Sequence, residues 1–217
     1  LDPNKLYLFC NISHGVLSSG VYGAFATNII GCRELFPGLE FKIVVLDQFY
    51  KSPFFREYCR GLPSSAERIK HQLSTRPSPP YTKKATVPMP GGAAEVFKCK
   101  PSTYLTLADF LCFRNPLVPV CSFGETDVYD QLTGPDGSYV KRLQEFIRKK
   151  IGIPPVLLVG RGFFQYSFGL IPRWKPITVV EQIEEYNEKF VKYLVNFFEN
   201  EKHKYIENAD SVHLELV

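Results

Sequence analysis

Short, unbroken apolar runs, each cut off by Gly or Pro, constrain this chain more than any other feature: Leu6–Ile12, Phe41–Leu46, Leu117–Phe123, Pro155–Val159 and Ile177–Val180. A strand with one wet face alternates apolar and polar residues. A continuous run reads instead as a strand covered on both faces, as in a mostly parallel sheet between helix layers. Helical patterns lie among the runs. Ser138 is placed to cap a helix whose Val140, Leu143, Phe146 and Ile147 share one face, with Lys149 and Lys150 at its end and Gly152 as its stop. A last helix carries the apolar stripe Ile183, Tyr186, Phe190, Tyr193, Leu194 and Phe197, with Glu185–Lys189 and Glu188–Lys192 pairs on its wet side. Strands alternating with helices predict an α/β fold, a mostly parallel buried sheet flanked by helices. Residues 1–217 are expected to form one domain, because a globule of this size buries roughly 70% of its unfolded surface without a staple. One stretch departs from the pattern. Residues 60–90 are crowded with proline, including Pro77, Pro79 and Pro80, and read as a loop or poorly ordered linker in which Thr86–Pro90 is a weak strand at best.

Charge and motif searches narrow the function classes. A net charge of +4 mildly favours an anionic partner such as a nucleotide or a phospholipid face, and is far from a nucleic-acid signature. The six cysteines (Cys10, Cys32, Cys59, Cys99, Cys112 and Cys121) form no Cys-x-x-Cys pair and are expected to be reduced. His14, His71, His203 and His213 lack metal-ligand spacing, so no metal is expected. There is no Gly-x-Ser-x-Gly elbow, phosphate-binding Gly-x-x-x-x-Gly-Lys loop or dinucleotide Gly-x-Gly-x-x-Gly. No apolar stretch approaches the ~20 residues that span a bilayer. The 18 Phe and 12 Tyr suit either a wide core or a greasy binding surface, and composition does not separate the two.

Four blocks carry candidate chemistry. The first strand runs into Asn11-Ile12-Ser13-His14-Gly15. A histidine past the carboxyl end of a buried strand stands where open α/β sheets bind ligands, and imidazole is the usual group for deprotonating an alcohol near neutral pH. The plainer alternative is a turn histidine. In Gly91-Gly92-Ala93-Ala94-Glu95, paired glycines free backbone N–H groups to face an anion, and Glu95 can hold a histidine in one tautomer; the alternative is a flexible turn before a helix. The third block, Pro119 to Gln131, ends a strand at Gly124 and exposes Glu125, Asp127 and Asp130 together, or else caps the next helix with acid. The fourth, Gly160 to Pro172, sets Arg161 between glycines, where it can grip a phosphate bidentately; its aromatic neighbours suit an acyl chain or a membrane face, or form core. Lys141, Arg142, Arg148, Lys149 and Lys150 form a basic group that can meet anionic lipid, or simply face water.

Taken in order, Glu34-Leu35-Phe36-Pro37-Gly38, Phe55-Arg56-Glu57-Tyr58, Gly91 to Glu95, Ser122-Phe123-Gly124-Glu125 and Gly160 to Pro172 resemble the type-2 diacylglycerol and monoacylglycerol acyltransferase family, nearly end to end. The resemblance implies acyl transfer from acyl-CoA, as a substrate and with no cofactor, to the hydroxyl of a glycerolipid acceptor. It also implies residence at the endoplasmic reticulum membrane, on the cytosolic face, with the family's membrane segments falling upstream of Leu1. On this plan His14 is the general base, Glu95 orients it, Gly91 and Gly92 present N–H groups to the oxyanion, and Glu125 and Arg161 bind substrate.

The chain departs from the family pattern in places. Where the family has His-Pro-His-Gly, this sequence reads Ile12-Ser13-His14-Gly15; only the second histidine is kept. Val159 replaces a histidine before Gly-Arg-Gly, the span from Leu107 to Pro116 is too short for the family's Arg-Lys-Gly-Phe stretch, and no Gly-x-Pro-Ile strand follows Val180. The proline-rich stretch stands where the family has a strand leading into the double glycine. Two alternatives to an enzyme therefore stay open: a catalytically inactive relative, and a non-catalytic acyl-CoA or lipid-binding module.

Overall fold

In the computed structural model the described residues are 7–12, 15–47, 62–63, 65–92, 95–96, 104–106, 117–132, 137–151, 155–181 and 190–216. The main sheet contains β1 (Tyr7–Ile12), β2 (Leu39–Val45), β3 (Leu62–Pro63), β4 (Lys83–Val87), β6 (Leu117–Phe123) and β9 (Thr178–Glu181). Its order is β3-β2-β4-β1-β6-β9. The first five strands run parallel, and β9 pairs antiparallel with β6. Two short ribbons stand apart: β5 (Tyr104–Thr106) with β10 (Leu214–Leu216), and β7 (Asp130–Leu132) with β8 (Leu157–Val159). The helices are α1 (Ser19–Val21), which continues into a π-turn at Tyr22–Ala26, then α2 (Cys32–Leu35), α3 (Ala66–Ser74), α4 (Tyr139–Ile151) and α5 (Phe190–Tyr205). Among the described residues, no helix is long and apolar enough to cross a membrane.

Both faces of the sheet are covered, which is why its strands read as unbroken apolar runs. Alternate residues of β1 divide between two cores. Leu8, Cys10 and Ile12 join Cys121, Phe123 and the Leu194, Phe197 and Phe198 side of α5. Tyr7 and Phe9 join Val118, Val120 and the Val21, Ala24, Phe25, Cys32 and Phe36 side chains of the opposite helical layer. The Phe9 ring meets Phe25, Phe36 and Phe41 at centroid distances of 5.7, 5.4 and 5.0 Å. Each such buried ring contributes about 1.5–3 kcal/mol through removal from water. Part of the aromatic load is therefore core. Cys10, Cys32 and Cys121 are buried free thiols; burial pushes Cys10 up to about 12, so it behaves as a small apolar residue.

The proline-rich stretch is not the loop expected from its composition. Ser65 caps α3 by accepting the Arg68 N–H at 3.2 Å, and β4 lies between β2 and β1 near the centre of the sheet. The prolines flank this strand instead of interrupting it: Pro77, Pro79 and Pro80 precede Lys83, and Pro88 and Pro90 follow Val87. Every ladder N–H of β4 is thus kept, and Pro88 still contributes its carbonyl, accepting from Asn11 N–H at 3.1 Å. Lys84, buried in this strand, places its ammonium 2.6 Å from Thr75 Oγ1.

The apolar run Pro155–Val159 also goes elsewhere than expected. Its strand joins a two-stranded ribbon with β7, outside the main sheet, and Leu157 is exposed. Helix α4 is turned opposite to its sequence pattern. Val140, Leu143 and Phe146 face out, while Gln144 is buried and donates from Nε2 to Pro155 O at 3.0 Å. In the last helix, Leu194 and Phe197 are buried as the stripe predicts, joined by Phe198; the part from 182 to 189 lies outside the described residues.

Candidate active site

Parallel strands share one carboxyl end, and three neighbours deliver the candidate motifs there. In the order β4-β1-β6, β4 leads to Gly91 and Glu95, β1 to Gly15, and β6 to Gly124 and Glu125. Pairing of Ile12 with Cys121 and the Asn11–Pro88 hydrogen bond hold these ends level. His14 and Ser13 lie outside the described residues, between the described Ile12 and Gly15.

Glu125 organises the loop after β1. Its Oε1 accepts the Ser19 N–H and its Oε2 the Gly20 N–H, each at 2.7 Å. Ser18 precedes α1 in a left-handed conformation and makes no side-chain cap. The carboxylate from β6 therefore takes over the capping role, satisfying two otherwise unpaired helix N–H groups. Close packing enforces the arrangement. A Cβ on Gly15 would lie 2.7 Å from Glu125 Cγ, and one on Gly20 would lie 2.6 Å from Ile177 Cγ2. Burial raises the Glu125 carboxyl above its ordinary range, and the Gly20 and Ser19 N–H bonds pull it back. Its oxygens are engaged with backbone, which differs from the substrate contact expected of it. The three acids of this block also part ways: Glu125 is buried, Asp127 is half-buried, and Asp130 is partly exposed and pairs with Arg173 at 2.5 Å.

Glu95 is buried, and its N–H donates to Gly91 O at 3.2 Å, closing the turn that holds the two glycines at positive φ. Beneath the site, Ser122 donates to Asn11 Oδ1 at 2.8 Å within the sheet. This polar pair escaped the sequence reading; the available signal was an asparagine inside an otherwise apolar strand. Ile12, where the family pattern has its first histidine, points fully buried into the apolar core beside Cys10 and Phe123.

Arg161 works within its own loop. Its Nε donates to Pro172 O at 3.0 Å and its Nη1 to Gly162 O at 3.4 Å, while the guanidinium lies 5.0 Å from the Trp174 ring centroid. A cavity of about 240 Å³ sits elsewhere, at the open half of β2, lined by Phe25, Thr27, Arg33, Phe41, Lys42 and Tyr81. None of the candidate site residues lines it.

The architecture is that of an α/β protein in which three candidate motifs follow the carboxyl ends of adjacent parallel strands. The chain belongs to the diacylglycerol acyltransferase family, whose sequence profile matches residues 1–216. It is 35% identical to 2-acylglycerol O-acyltransferase 1 of Bos taurus, over 94% of this chain and 68% of that protein. It is likewise 35% identical to diacylglycerol O-acyltransferase 2 of Dictyostelium discoideum, over 94% of this chain and 67% of that one. Against diacylglycerol O-acyltransferase 2 of Danio rerio the identity is 33%, over 94% and 63%. No solved structure matches this chain.

Proposed function

We propose that this chain is an acyl-CoA-dependent O-acyltransferase that esterifies a glycerolipid hydroxyl, diacylglycerol or monoacylglycerol, in triacylglycerol synthesis at the cytosolic face of the endoplasmic reticulum membrane. The observation that carries this reading is the convergence of three motif-bearing strand ends, β4, β1 and β6, at one edge of the sheet. His14 removes the proton from the acceptor hydroxyl as that oxygen attacks the thioester carbonyl. Glu95 orients the imidazole and stabilises its protonated form. N–H groups at Gly91 and Gly92 take the developing oxyanion charge, and coenzyme A leaves as a thiol, with no acyl-enzyme. Glu125 acts in this scheme by holding the segment that follows His14-Gly15, and Arg161 by bracing the loop that follows β8. The assay supplies labelled acyl-CoA with monoacylglycerol or diacylglycerol to membranes expressing the chain and follows labelled glyceride. His14→Ala should lower turnover by ~10²–10⁴-fold, about 3–5 kcal/mol of barrier; unchanged turnover removes His14 from the mechanism.

The burial of Ile12 favours a second reading, a non-catalytic acyl-CoA or lipid-binding module, because a side chain without hydrogen-bonding capacity stands where the family has its first histidine. Saturable acyl-CoA binding with no glyceride product in the same assay selects it.

A further inference from the structure

The hairpin after β8 is unlike the rest of the surface. From Gly162 to Pro172 it contains no charged residue, and its large side chains point to solvent: Phe163 (84% exposed), Phe164 (99%), Tyr166, Phe168 and Leu170, with Trp174 (77%) just beyond. An unfolded loop would also show apolar side chains, but this one is internally built. Arg161 and Ile171 exchange backbone hydrogen bonds at 2.7 and 3.0 Å, Gly160 N–H donates to Gly169 O at 2.7 Å, and Gly162 N–H donates to Gln165 O at 2.8 Å. The Gln165 amide oxygen accepts from Ser167 N–H, Ser167 Oγ and Phe168 N–H at 2.8, 2.6 and 3.0 Å. Tyr129 Oη donates to Leu170 O at 3.2 Å and anchors the hairpin to the body. Polar groups are thus satisfied inward while aromatic groups face outward, the reverse of a loop adapted to water. Lys175 follows the apolar tip and is exposed, whereas Arg161 and Arg173 are held within the protein by Pro172 O and by Asp130.

We propose that this hairpin is an interfacial membrane anchor, with Phe163, Phe164, Phe168 and Leu170 entering the headgroup–acyl boundary of a phospholipid bilayer and Lys175 meeting lipid phosphates. A segment entering that boundary must carry its own hydrogen-bond partners, since unsatisfied backbone groups are costly away from water. Aromatic and aliphatic tips with exposed cations close in sequence, Lys175 here and Arg142, Lys149 and Lys150 on α4, match the apolar and phosphate layers of a bilayer surface. The exposed Val140, Leu143 and Phe146 of α4, interspersed with Lys141, Arg142, Lys149 and Lys150, form a second element of the same amphipathic kind. The inference rests on the reading of the chain as acting on lipid-borne substrates, and adds where the lipid surface is met.

Trp174 is the only tryptophan, so its emission reports this hairpin alone. Adding vesicles of phosphatidylcholine and phosphatidylserine to the full chain should shift that emission to the blue, and brominated phosphatidylcholine should quench it. Phe163→Ser/Phe164→Ser removes two solvent-facing rings, and should weaken vesicle partitioning by about tenfold or more with an unchanged circular-dichroism spectrum. Vesicle co-sedimentation without a Trp174 response, or unchanged partitioning of the double variant, overturns the proposal. So does a blue shift that follows protein concentration in the absence of vesicles, which would identify a second copy of the chain as the occupant. Acyl transfer to a water-dispersed short-chain acceptor needs no docking; its failure counts against the catalytic reading and leaves the vesicle result standing.

Discussion

Glu125 holds the backbone of Gly20 across 105 positions of sequence, its Oε2 accepting the Gly20 N–H at 2.7 Å while Oε1 takes the neighbouring Ser19 N–H. The same contact brings Gly20 against Ile177, immediately before β9. The carboxyl end of β6, the loop leaving β1 and the approach to β9 are therefore fastened at one point. Glu125→Gln keeps the shape but turns an amide NH₂ toward one of the two N–H groups. It should cost about 1–3 kcal/mol of stability, read as a lowered urea midpoint. Gly20→Ala should cost a similar amount by overpacking against Ile177 Cγ2, and Ile177→Ala, which removes that methyl, should recover part of it in the double variant. Additive losses would show that the two side chains do not meet.

Gly124 supplies the turn that aims Glu125. It has φ +83°, and a Cβ there would collide with the Pro176 carbonyl oxygen, whereas Gly137 has φ +81° with open space around it. Gly137→Ala should therefore cost only the conformational strain, about 1–2 kcal/mol. Gly124→Ala should cost that and a backbone displacement, clearly more than its counterpart in a thermal melt. Equal losses would mean that the Pro176 contact contributes nothing.

Lys202 is buried in α5, where its Nζ reaches Val212 O at 2.8 Å and Glu199 Oε2 at 2.6 Å. The Lys202 hydrogen bond holds the Glu199 carboxyl below its usual range. A carboxyl with a lowered folded pKa contributes its stability fully above the unfolded value and loses it as pH falls through the folded one. Glu199→Gln should accordingly lower stability by about 1–3 kcal/mol near neutrality, by depriving a buried ammonium of its counter-charge. The gap to the unaltered chain should narrow below about pH 4 and close in stronger acid. A gap that stays constant from neutrality into acid would place the cost elsewhere.

Ile12 fills the position of the family's first histidine. Because its side chain sits fully buried in the core cluster that holds Cys10, Cys121 and Phe123, Ile12→His puts an imidazole into an apolar core. The expected cost is about 1–3 kcal/mol. Denaturant unfolding measures it; a neutral effect would show that the core there admits a polar partner.

Sequence alone determined the class of fold, the strands β1, β2, β6 and β9 to within a few residues, and the family, because burial on both faces writes itself as continuous apolar runs and loop motifs survive in order. Tertiary structure decided the rest. The central place of β4 was hidden because proline frequency signals a breaker, whereas only position relative to the ladder tells whether a hydrogen bond is lost. The role of Glu125 was hidden because its partners are backbone N–H groups, which have no letter in the sequence. The outward apolar face of α4 was hidden, and the aromatics of residues 163–170 stayed undecided between core and surface, because composition records that a side chain is apolar, and only packing in space decides whether it meets the core or the outside.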